Sequence, residues 1–349
     1  MTRRCNLKCV HCYAHARDAF FKGNELNTEE GKRLIDDLAA FGSPVMLFSG
    51  GEPVLREDLP ELIDYAVKKG MRAVISTNGT LITEEKARIF AKFNLSYIGV
   101  SLDGIGGVND AFRGVKGAFG KAMDGIRNAK KAGIKVGLRF TINKRNYKEI
   151  PRIFDLIDTE GIERACFYHL VYAGRGSELM NEDLSHEESR KSVDYILDRT
   201  KSFFDKGKPI EVLTVDNHAD GPYLYMRLLR EDPARAAEVF DLLMMNEGNA
   251  SGVGIACVDE EGNVHADQFW RHYSFGNVRK RPFSEIWMDT SNELMDKLKR
   301  KKEFVKGRCA RCRWLNICGG NFRVRAEAKT GDLWAEDPQC YLTENEITK

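Results

Sequence analysis

The sequence has no long apolar run, no apolar leader and no marked excess of charge of one sign. A transmembrane helix would need about 18 consecutive apolar residues, and no such run is present. The N-terminus also lacks the apolar segment of a secretion signal, so we expect a cytoplasmic protein with no membrane partner. The 54 Lys and Arg residues nearly balance the 52 Asp and Glu residues, which gives no indication of a nucleic-acid partner.

The composition predicts a globular protein with room for more than one domain. The 349 residues are 42% hydrophobic and 30% charged, which suits one large α/β domain and a smaller one. Most of the nine cysteines fall into two tight groups. In a reducing cytoplasm such groups are typical of metal sites rather than of a disulfide framework. If such a metal site is exposed and sensitive to oxygen, an anaerobic environment is also expected.

The first cysteine group lies at the N-terminus, where Cys5, Cys9 and Cys12 have the spacing CxxxCxxC and Tyr13 follows. A structural zinc site takes four protein ligands, whereas this run offers only the three thiolates. Three thiolates leave one iron of a 4Fe-4S cluster without a protein ligand, and that iron can take part in chemistry. The alternative is a set of buried or disulfide-bonded cysteines, although so short a run has poor geometry for pairwise disulfides.

Strands alternate with helices through the first half of the chain. An amphipathic helix pattern precedes each short apolar strand, and this alternation is typical of parallel βαβ units. The strands are predicted at 45–48, 73–76, 97–101, 136–140 and 165–168. The helices are predicted at 28–41, with Thr28 as the N-cap, and at 58–69, 84–93, 117–132 and 150–159.

The cysteine loop has no predicted strand before it. In a parallel barrel the functional loops follow the carboxyl ends of strands, so we infer that a first strand is missing ahead of Cys5. Beyond the predicted strands the chain becomes helical and polar, with its clearest helix at 185–206, and then β-like with a short helix at 283–287. The predicted division of the chain is 1–176, 177–251 and 252–349.

Polar loops follow the first three predicted strands. The loops contain Gly50, Gly51 and Glu52, then Ser76 and Asn78, then Ser101 and Asp103. The glycines would let the backbone approach a ligand, and the polar side chains suit an amine, ribose hydroxyls or a carboxylate. Each polar residue could equally be an N-cap or part of a turn. Because the carboxyl ends of parallel strands share one edge, we expect these loops to meet beside the cysteine loop.

Together these motifs resemble the radical S-adenosylmethionine (SAM) superfamily over residues 1–176. The resemblance implies an α/β fold, a partial (β/α)6 barrel of the TIM type in which the predicted strands are the second to the sixth. It also implies that the N-terminal cysteines hold a 4Fe-4S cluster whose open iron binds the amine and carboxylate of SAM. The residues that it places around SAM are Tyr13, Gly50, Gly51, Glu52, Ser76, Asn78, Ser101, Asp103 and Arg139. Strand alternation could instead turn Arg139 out of the barrel.

The second cysteine group consists of Cys309, Cys312, Cys318 and Cys340. By spacing alone, these thiolates suit zinc or a fully ligated iron–sulfur cluster. The segment is similar to the SPASM-type extension of radical SAM enzymes, which implies a small C-terminal domain with an auxiliary 4Fe-4S cluster. Phe322 stands where that pattern has a further cysteine, so a single auxiliary cluster is expected. Cys257 is a structural thiol or else a ligand or hydrogen donor, and Cys166 belongs to the core.

Two polar segments with histidines and aromatic residues lie between the cysteine groups, at 216–223 and 262–272. Aromatic side chains would stack on a planar ligand, arginines would bind carboxylates, and histidines would bind iron or move protons, although an isolated histidine is more often structural. With 2–4 and 172–176, these segments are similar to radical SAM enzymes that modify tetrapyrrole side chains. That similarity implies an iron tetrapyrrole substrate that loses acetate or, alternatively, propionate side chains. The candidate contacts are Arg113, Arg175 and Arg271 for carboxylates, and His218, His265 and His272 for iron or protons.

Electrons for such chemistry would come from a small ferredoxin- or flavodoxin-type protein, with the auxiliary cluster as a relay. Two other functions fit parts of the pattern. One is a SPASM-type enzyme that modifies a peptide or protein. The other is a metal-binding or electron-transfer module that holds zinc and does not cleave SAM.

Overall fold

The computed structural model describes residues 1–348. Its largest element is an open parallel sheet whose strands lie in the order in which they occur along the chain, with β1 and β6 at the two edges. The strands are β1 (Val45–Phe48), β2 (Arg72–Thr77), β3 (Tyr97–Ser101), β4 (Val136–Ile142), β5 (Arg164–His169) and β6 (Glu211–Val215). Helices connect each strand to the next, so the predicted α/β partial barrel is confirmed.

The helices divide into a set that connects the strands and a set that belongs to the second half of the chain. The first set is α1 (Thr28–Ala40), α2 (Leu59–Lys68), α3 (Glu84–Lys92), α4 (Gly107–Arg113), α5 (Ala118–Lys131), α6 (Ile150–Glu160) and α7 (His186–Asp205). The second set is α8 (Asp220–Glu231), α9 (Pro233–Asn246), α10 (Phe283–Met288), α11 (Glu293–Lys299), α12 (Gly307–Ala310), α13 (Leu315–Cys318), α14 (Arg323–Thr330) and α15 (Glu344–Thr348). Short 3₁₀ turns occur at Pro53–Leu55, Tyr147–Glu149, Gly174–Glu182 and Lys301–Glu303.

The start of α1 shows how local sequence defines a connecting helix. The side chain of Asn27 accepts a hydrogen bond from the backbone N–H of Glu30, and the Glu30 carboxylate accepts one from the N–H of Asn27, each over 2.9 Å. This capping box satisfies two backbone groups that the helix itself leaves unpaired. The prediction of Thr28 as the N-cap was therefore wrong by one residue. Thr28 is the first helical residue, and its hydroxyl donates to Asp58 instead.

The structure adds a strand to the region that the sequence analysis had described as helical and polar. β6 pairs in parallel with β5, with Glu211 opposite Arg164 and Val215 opposite Tyr168. The earlier interpretation of this segment was wrong because the strand is short and half-buried, so its alternation of apolar and polar residues is weak. The extra strand brings the following residue, Asp216, to the carboxyl edge of the sheet. The further strand inferred ahead of Cys5 stays a prediction.

The C-terminal region contains a small antiparallel sheet of β7 (Cys257–Val258), β8 (Asn263–His265) and β9 (Gly276–Asn277). The region also contains a fully buried ion pair between Arg325 and Asp337, and Arg325 links the region to the barrel. The Arg325 guanidinium also donates to the backbone carbonyls of Leu170, after β5, and Asp216, after β6. None of the helices in residues 1–348 combines the length and the apolar character that a bilayer crossing needs.

Candidate active site

The N-terminal cysteine loop lies at the carboxyl edge of the parallel sheet. The backbone N–H groups of Lys8 and Val10 donate to the carbonyls of Arg113 and Phe112, over 2.9 and 3.0 Å. These acceptors are at the end of α4, the helix that follows β3. The loop is therefore fixed against the same edge that carries the strand-end residues, as the sequence analysis predicted.

Each sulfur of the loop accepts a hydrogen bond from an N–H group. The donors are the backbone N–H of Leu7 to Cys5 at 3.4 Å, the backbone N–H of Ala16 to Cys12 at 3.5 Å, and Nη1 of Arg113 to Cys9 at 3.5 Å. None of these cysteines forms a disulfide. Burial raises the pKa of the Cys5 thiol to about 12, so a thiolate there needs a bound cation. Three thiolates of one loop, each with an N–H donor, fit a 4Fe-4S cluster that keeps one open iron.

Asp103 and Arg113 form an ion pair beside the cysteine loop. Asp103 is fully buried, and its Oδ1 also accepts a hydrogen bond from the N–H of Thr141 at 2.9 Å. The Nε2 atom of His11 lies 3.5 Å from Asp103 Oδ2. The sequence analysis expected Asp103 near SAM and Arg113 at the substrate. In the structure both side chains are directed at the cysteine loop and at each other.

Gly50 and Gly51 lie against the chain's own N-terminal segment. The N–H of Gly51 donates to the carbonyl of Thr2 at 2.7 Å, and the next N–H, that of Glu52, donates to the carbonyl of Arg4 at 2.8 Å. A Cβ atom on Gly51 would lie 2.3 Å from the Arg4 carbonyl oxygen. The absence of a side chain at Gly51 is therefore required for this backbone contact, whether or not a ligand also approaches.

The carboxylate of Glu52 is fully buried and already hydrogen-bonded. Its Oε1 accepts from the Thr77 hydroxyl at 2.7 Å and from the N–H of Val54 at 3.0 Å, while Oε2 accepts from the N–H of Asn78 at 2.8 Å. Burial raises the pKa of Glu52 against the effect of these donors. The side chain thus ties the loop after β1 to the end of β2.

Asn78 and Tyr13 connect the cysteine loop to the strand ends. The amide Nδ2 of Asn78 lies 3.9 Å from the sulfur of Cys5 and donates to Oδ1 of Asn6 at 2.9 Å. The hydroxyl of Tyr13 is 3.3 Å from that of Ser49, which directly follows β1. Both residues therefore lie where the sequence analysis expected a cofactor.

Arg139 faces the inside of the barrel. Its neighbours Leu138 and Phe140 are each 1% exposed and belong to the core that the helices cover, so strand alternation places Arg139 on the opposite face. Ser101 lies opposite Arg139 on β3, and the guanidinium is 4.5 Å from the centroid of the Tyr168 ring on β5. On the neighbouring pair of strands, Ser76 lies opposite Gly99. The alternative that Arg139 points out of the barrel is excluded.

Asp216 begins the polar segment 216–223, but the sequence analysis did not name it as a candidate contact. It follows β6 directly, is 7% exposed and has a left-handed backbone with φ of 67°. Burial raises its pKa to about 7, and the nearby Asp267 acts in the same direction, whereas Arg325 and Arg139 oppose it. A strained backbone and a shifted pKa are typical of functional positions. The signal available in the sequence was the polar run that begins directly after a short apolar one.

The cysteines of the second group line one cavity of about 420 Å³, its open mouth included, and none is in a disulfide. The cavity also contacts Trp314 and Leu342. Four cysteine thiols that line one cavity are a donor set that either a zinc ion or a fully ligated iron–sulfur cluster can use.

Two of the predicted substrate contacts, His265 and Arg271, have partners in the C-terminal region. Nδ1 of His265 is 2.6 Å from the carbonyl oxygen of Tyr273, and its Nε2 is 3.2 Å from Oδ2 of Asp259. Arg271 forms an ion pair with Glu260. The structure does not bring either of these side chains to the cysteine loop as a free group.

Arg175 and His272 are also engaged within the protein. The guanidinium of Arg175 donates to the backbone carbonyls of Cys9 at 2.9 Å and Ala16 at 3.3 Å, so it supports the cysteine loop. His272 is exposed, and its Nε2 is 3.1 Å from Oε2 of Glu327. Of the six predicted substrate contacts, this leaves His218, whose ring stacks on Phe322 with 6.4 Å between centroids.

An open parallel sheet with a three-thiolate loop at its carboxyl edge, followed by a second site of four cysteines, is the architecture of a radical SAM enzyme. The comparisons agree, because residues 1–157 match the Radical SAM superfamily and residues 249–313 match the SPASM iron-sulfur cluster-binding domain. The chain belongs to the radical SAM superfamily. Enzymes of this class use SAM with a 4Fe-4S cluster, and SPASM domains bind additional iron–sulfur clusters.

Curated relatives cover nearly the whole chain. The Fe-coproporphyrin III synthase of Methanosarcina barkeri is 68% identical over 99% of this chain and 88% of its own length. The pre-heme d1 synthase of Dinoroseobacter shibae is 43% identical over 98% of this chain and 85% of its own. An AdoMet-dependent heme synthase of Nitratidesulfovibrio vulgaris is 33% identical over 100% of this chain and 92% of its own.

Solved structures share the fold at low sequence identity. The enzyme anSMEcpe with bound AdoMet and a peptide has a TM-score of 0.73 and 19% identity, over 97% of this chain and 91% of its own. Streptococcus suis SuiB bound to the precursor peptide SuiA has a TM-score of 0.75 and 18% identity, over 98% of this chain and 74% of its own. These matches support the architecture of the barrel and of the region that follows it.

Proposed function

We propose that this enzyme removes acetate side chains from the iron tetrapyrrole 12,18-didecarboxysiroheme and releases Fe-coproporphyrin III. The observation that carries the proposal is the 68% identity to the Fe-coproporphyrin III synthase over 99% of this chain. The pre-heme d1 synthase, at 43% identity, supports the same class of substrate with propionate removal as the alternative reaction.

The residues at the carboxyl edge would bind and enclose the cofactor. When bound, the first cluster reduces SAM and supplies an adenosyl radical. Arg139, inside the barrel, would bind the SAM carboxylate through its guanidinium. The hydroxyls of Ser76 and Ser101 would face the ribose of SAM. Tyr13 would cover the side of the SAM site that lies next to Ser49. The barrel interior would keep water away from the reacting groups. The cluster ligands would be Cys5, Cys9 and Cys12.

Most of the residues that the sequence analysis proposed as substrate contacts would instead support the cysteine loop or the C-terminal region. Arg113 and Arg175 hold the cysteine loop, and Arg271, His265 and His272 are paired within the C-terminal region. The auxiliary cluster would relay electrons from a ferredoxin- or flavodoxin-type donor. Its ligands would be Cys309, Cys312, Cys318 and Cys340.

Anaerobic incubation of the reconstituted enzyme with 12,18-didecarboxysiroheme, SAM and dithionite tests the proposal. Mass spectrometry should show a tetrapyrrole that has lost its acetate side chains, together with 5′-deoxyadenosine. Loss of propionate mass would instead support the pre-heme d1 type of reaction. Formation of 5′-deoxyadenosine with an unchanged tetrapyrrole would contradict both. Cys9→Ala should abolish 5′-deoxyadenosine formation, and Cys166→Ala, at a buried cysteine of β5, is the matched control.

A further inference from the structure

His218 has free ring nitrogens beside the barrel. Within residues 1–348, neither ring nitrogen forms a hydrogen bond and neither is enclosed, whereas the backbone N–H of His218 donates to Oδ1 of Asn321 at 2.8 Å. By contrast, His265 uses both of its ring nitrogens, and His169 and His272 each use Nε2. A half-buried imidazole whose ring nitrogens have no hydrogen-bond partner in the described part of the chain is available to bind a ligand.

A row of aromatic rings connects His218 to the cysteine loop. The ring of His218 is nearly parallel to that of Phe322, with an interplanar angle of 14°. Phe322 contacts Phe269 edge-on at 5.4 Å between centroids, and Phe269 contacts Tyr13 at 5.0 Å. Tyr13 directly follows the cluster ligand Cys12. We call Tyr13, Phe269 and Phe322 the aromatic wall.

The surroundings of His218 keep its imidazole neutral. Burial is the main cause of a pKa lowered to about 4, and the cations Lys301 and Arg325 add to it. The carboxylates of Asp220 and Asp337 act in the opposite direction without cancelling the effect. A neutral imidazole carries the lone pair that a metal ion binds.

We propose that His218 is the axial ligand of the substrate iron, with the macrocycle lying along the aromatic wall. The inference rests on the proposed function, because it requires an iron tetrapyrrole in the barrel. The iron–nitrogen bond forms when one imidazole nitrogen of His218 donates its lone pair to the substrate iron. No proton or electron is transferred in this step. The wall supplies apolar contact to a planar ligand. The iron–nitrogen bond would fix the position of the macrocycle relative to the cysteine loop.

Binding of Fe-coproporphyrin III, the proposed product, tests the assignment of His218 as the axial ligand. The experiment uses reconstituted enzyme whose clusters are in the oxidised, diamagnetic state. Pulsed EPR of the ferric complex should show coupling to an axial imidazole nitrogen, and ¹⁵N-histidine labelling should change it. His218→Ala should lose this coupling and bind about tenfold more weakly. Added imidazole should restore the coupling. His186→Ala is the matched control, since His186 is exposed and its Nε2 is bonded to the Pro338 carbonyl.

The possible results separate this inference from the function on which it rests. If wild type binds the tetrapyrrole without axial nitrogen coupling, or if His218→Ala retains the coupling, the inference is wrong while the proposed function stands. If wild type binds no tetrapyrrole, the proposed function fails together with the inference. His218→Gln is a second variant, which removes the imidazole but retains a polar side chain. Unchanged iron content and SAM binding in both His218 variants would show that the lost coupling is not due to misfolding.

Discussion

Arg113 donates a hydrogen bond from Nη1 to the sulfur of Cys9 over 3.5 Å. The same guanidinium pairs with the fully buried carboxylate of Asp103, just beyond β3. A positive charge beside a cluster thiolate stabilises the reduced cluster, which is the more negative state. The end of β3 is therefore linked to the reduction potential of the first cluster.

Replacing Arg113 should make the first cluster harder to reduce. Arg113→Gln removes the positive charge and leaves Asp103 uncompensated, so the potential should fall by roughly 60 mV, a tenfold change in a one-electron equilibrium. EPR-monitored redox titration measures this shift. The double variant Asp103→Asn with Arg113→Gln should return toward the wild-type value. Arg127→Gln, in a surface pair with Glu160, is the control, and an unchanged potential in Arg113→Gln would contradict the electrostatic role.

Removing Cys318 should eliminate the auxiliary cluster and leave the first one in place. The iron content of Cys318→Ala should fall by roughly half, because both sites are proposed to hold the same type of cluster. Metal analysis and EPR of the reduced protein measure the loss. Cys166→Ala should keep all of the iron, since Cys166 lies in the core of the barrel. Stoichiometric zinc in wild type, lost only in Cys318→Ala, would instead support a zinc site.

A side chain at Gly51 should disturb the cysteine loop. The Cβ of Gly51→Ala would meet the Arg4 carbonyl at 2.3 Å and displace the segment that leads into Cys5. We expect a loss of about 1–3 kcal/mol in stability, with lower retention of the first cluster on desalting. Gly120→Ala, inside α5 and with nothing within 4 Å of the new atom, should instead stabilise the protein by about 0.5–1 kcal/mol. Equal behaviour of the two variants would refute this reasoning.

Asp216 should make stability depend on pH. Burial raises its pKa to about 7 from an ordinary value of 3.8, so the folded state holds the proton more tightly than the unfolded state does. The resulting stabilisation is full below pH 3.8 and is lost as the pH rises through about 7. Asp216→Asn does not titrate, so its Tm relative to wild type should rise between about pH 5 and about pH 8.

Differential scanning fluorimetry at constant ionic strength measures this difference. Asp267 faces the carboxyl of Asp216 and favours its neutral form, whereas Arg325, Arg139 and His169 favour its charge. If the cations prevail, Asp216 is ionised in both states above about pH 5, so the Tm difference will stay constant between about pH 5 and about pH 8 and the assignment of a raised pKa will be wrong.

The buried pair of Arg325 and Asp337 should be sensitive to loss of one member. Arg325→Met leaves the Asp337 carboxylate buried without its partner, which typically costs about 3–5 kcal/mol. Thermal and urea unfolding measure the loss, and Asp337→Asn in the same background should recover part of it. Arg152→Met, which removes an exposed pair with Glu149, should change stability by less than about 1 kcal/mol. A similarly small effect for Arg325→Met would show that water reaches the pair.

Much of the barrel was predictable because its strands are continuous apolar runs that alternate with amphipathic helices. The predicted boundaries of β1 and β3 match the structure residue for residue. β6 was missed because a short, half-buried strand has too few residues for its alternation to be distinctive, and only its pairing with β5 identifies it. The position of Asp216 at the strand ends could not be predicted without that pairing.

The sequence by itself indicated two metal sites, because the spacing of closely grouped thiols restricts the metal groups that they can bind, and its motifs resembled the radical SAM superfamily. It also determined the βαβ order, because helix and strand periodicity are local properties. Only the tertiary structure decided which polar side chains are free to meet a ligand. The carboxylates of Asp103 and Glu52 are engaged within the protein, whereas the ring nitrogens of His218 have no hydrogen-bond partner among residues 1–348. That distinction depends on contacts such as Arg113 with Cys9, which are 104 positions apart in the chain and are made only when the sheet assembles.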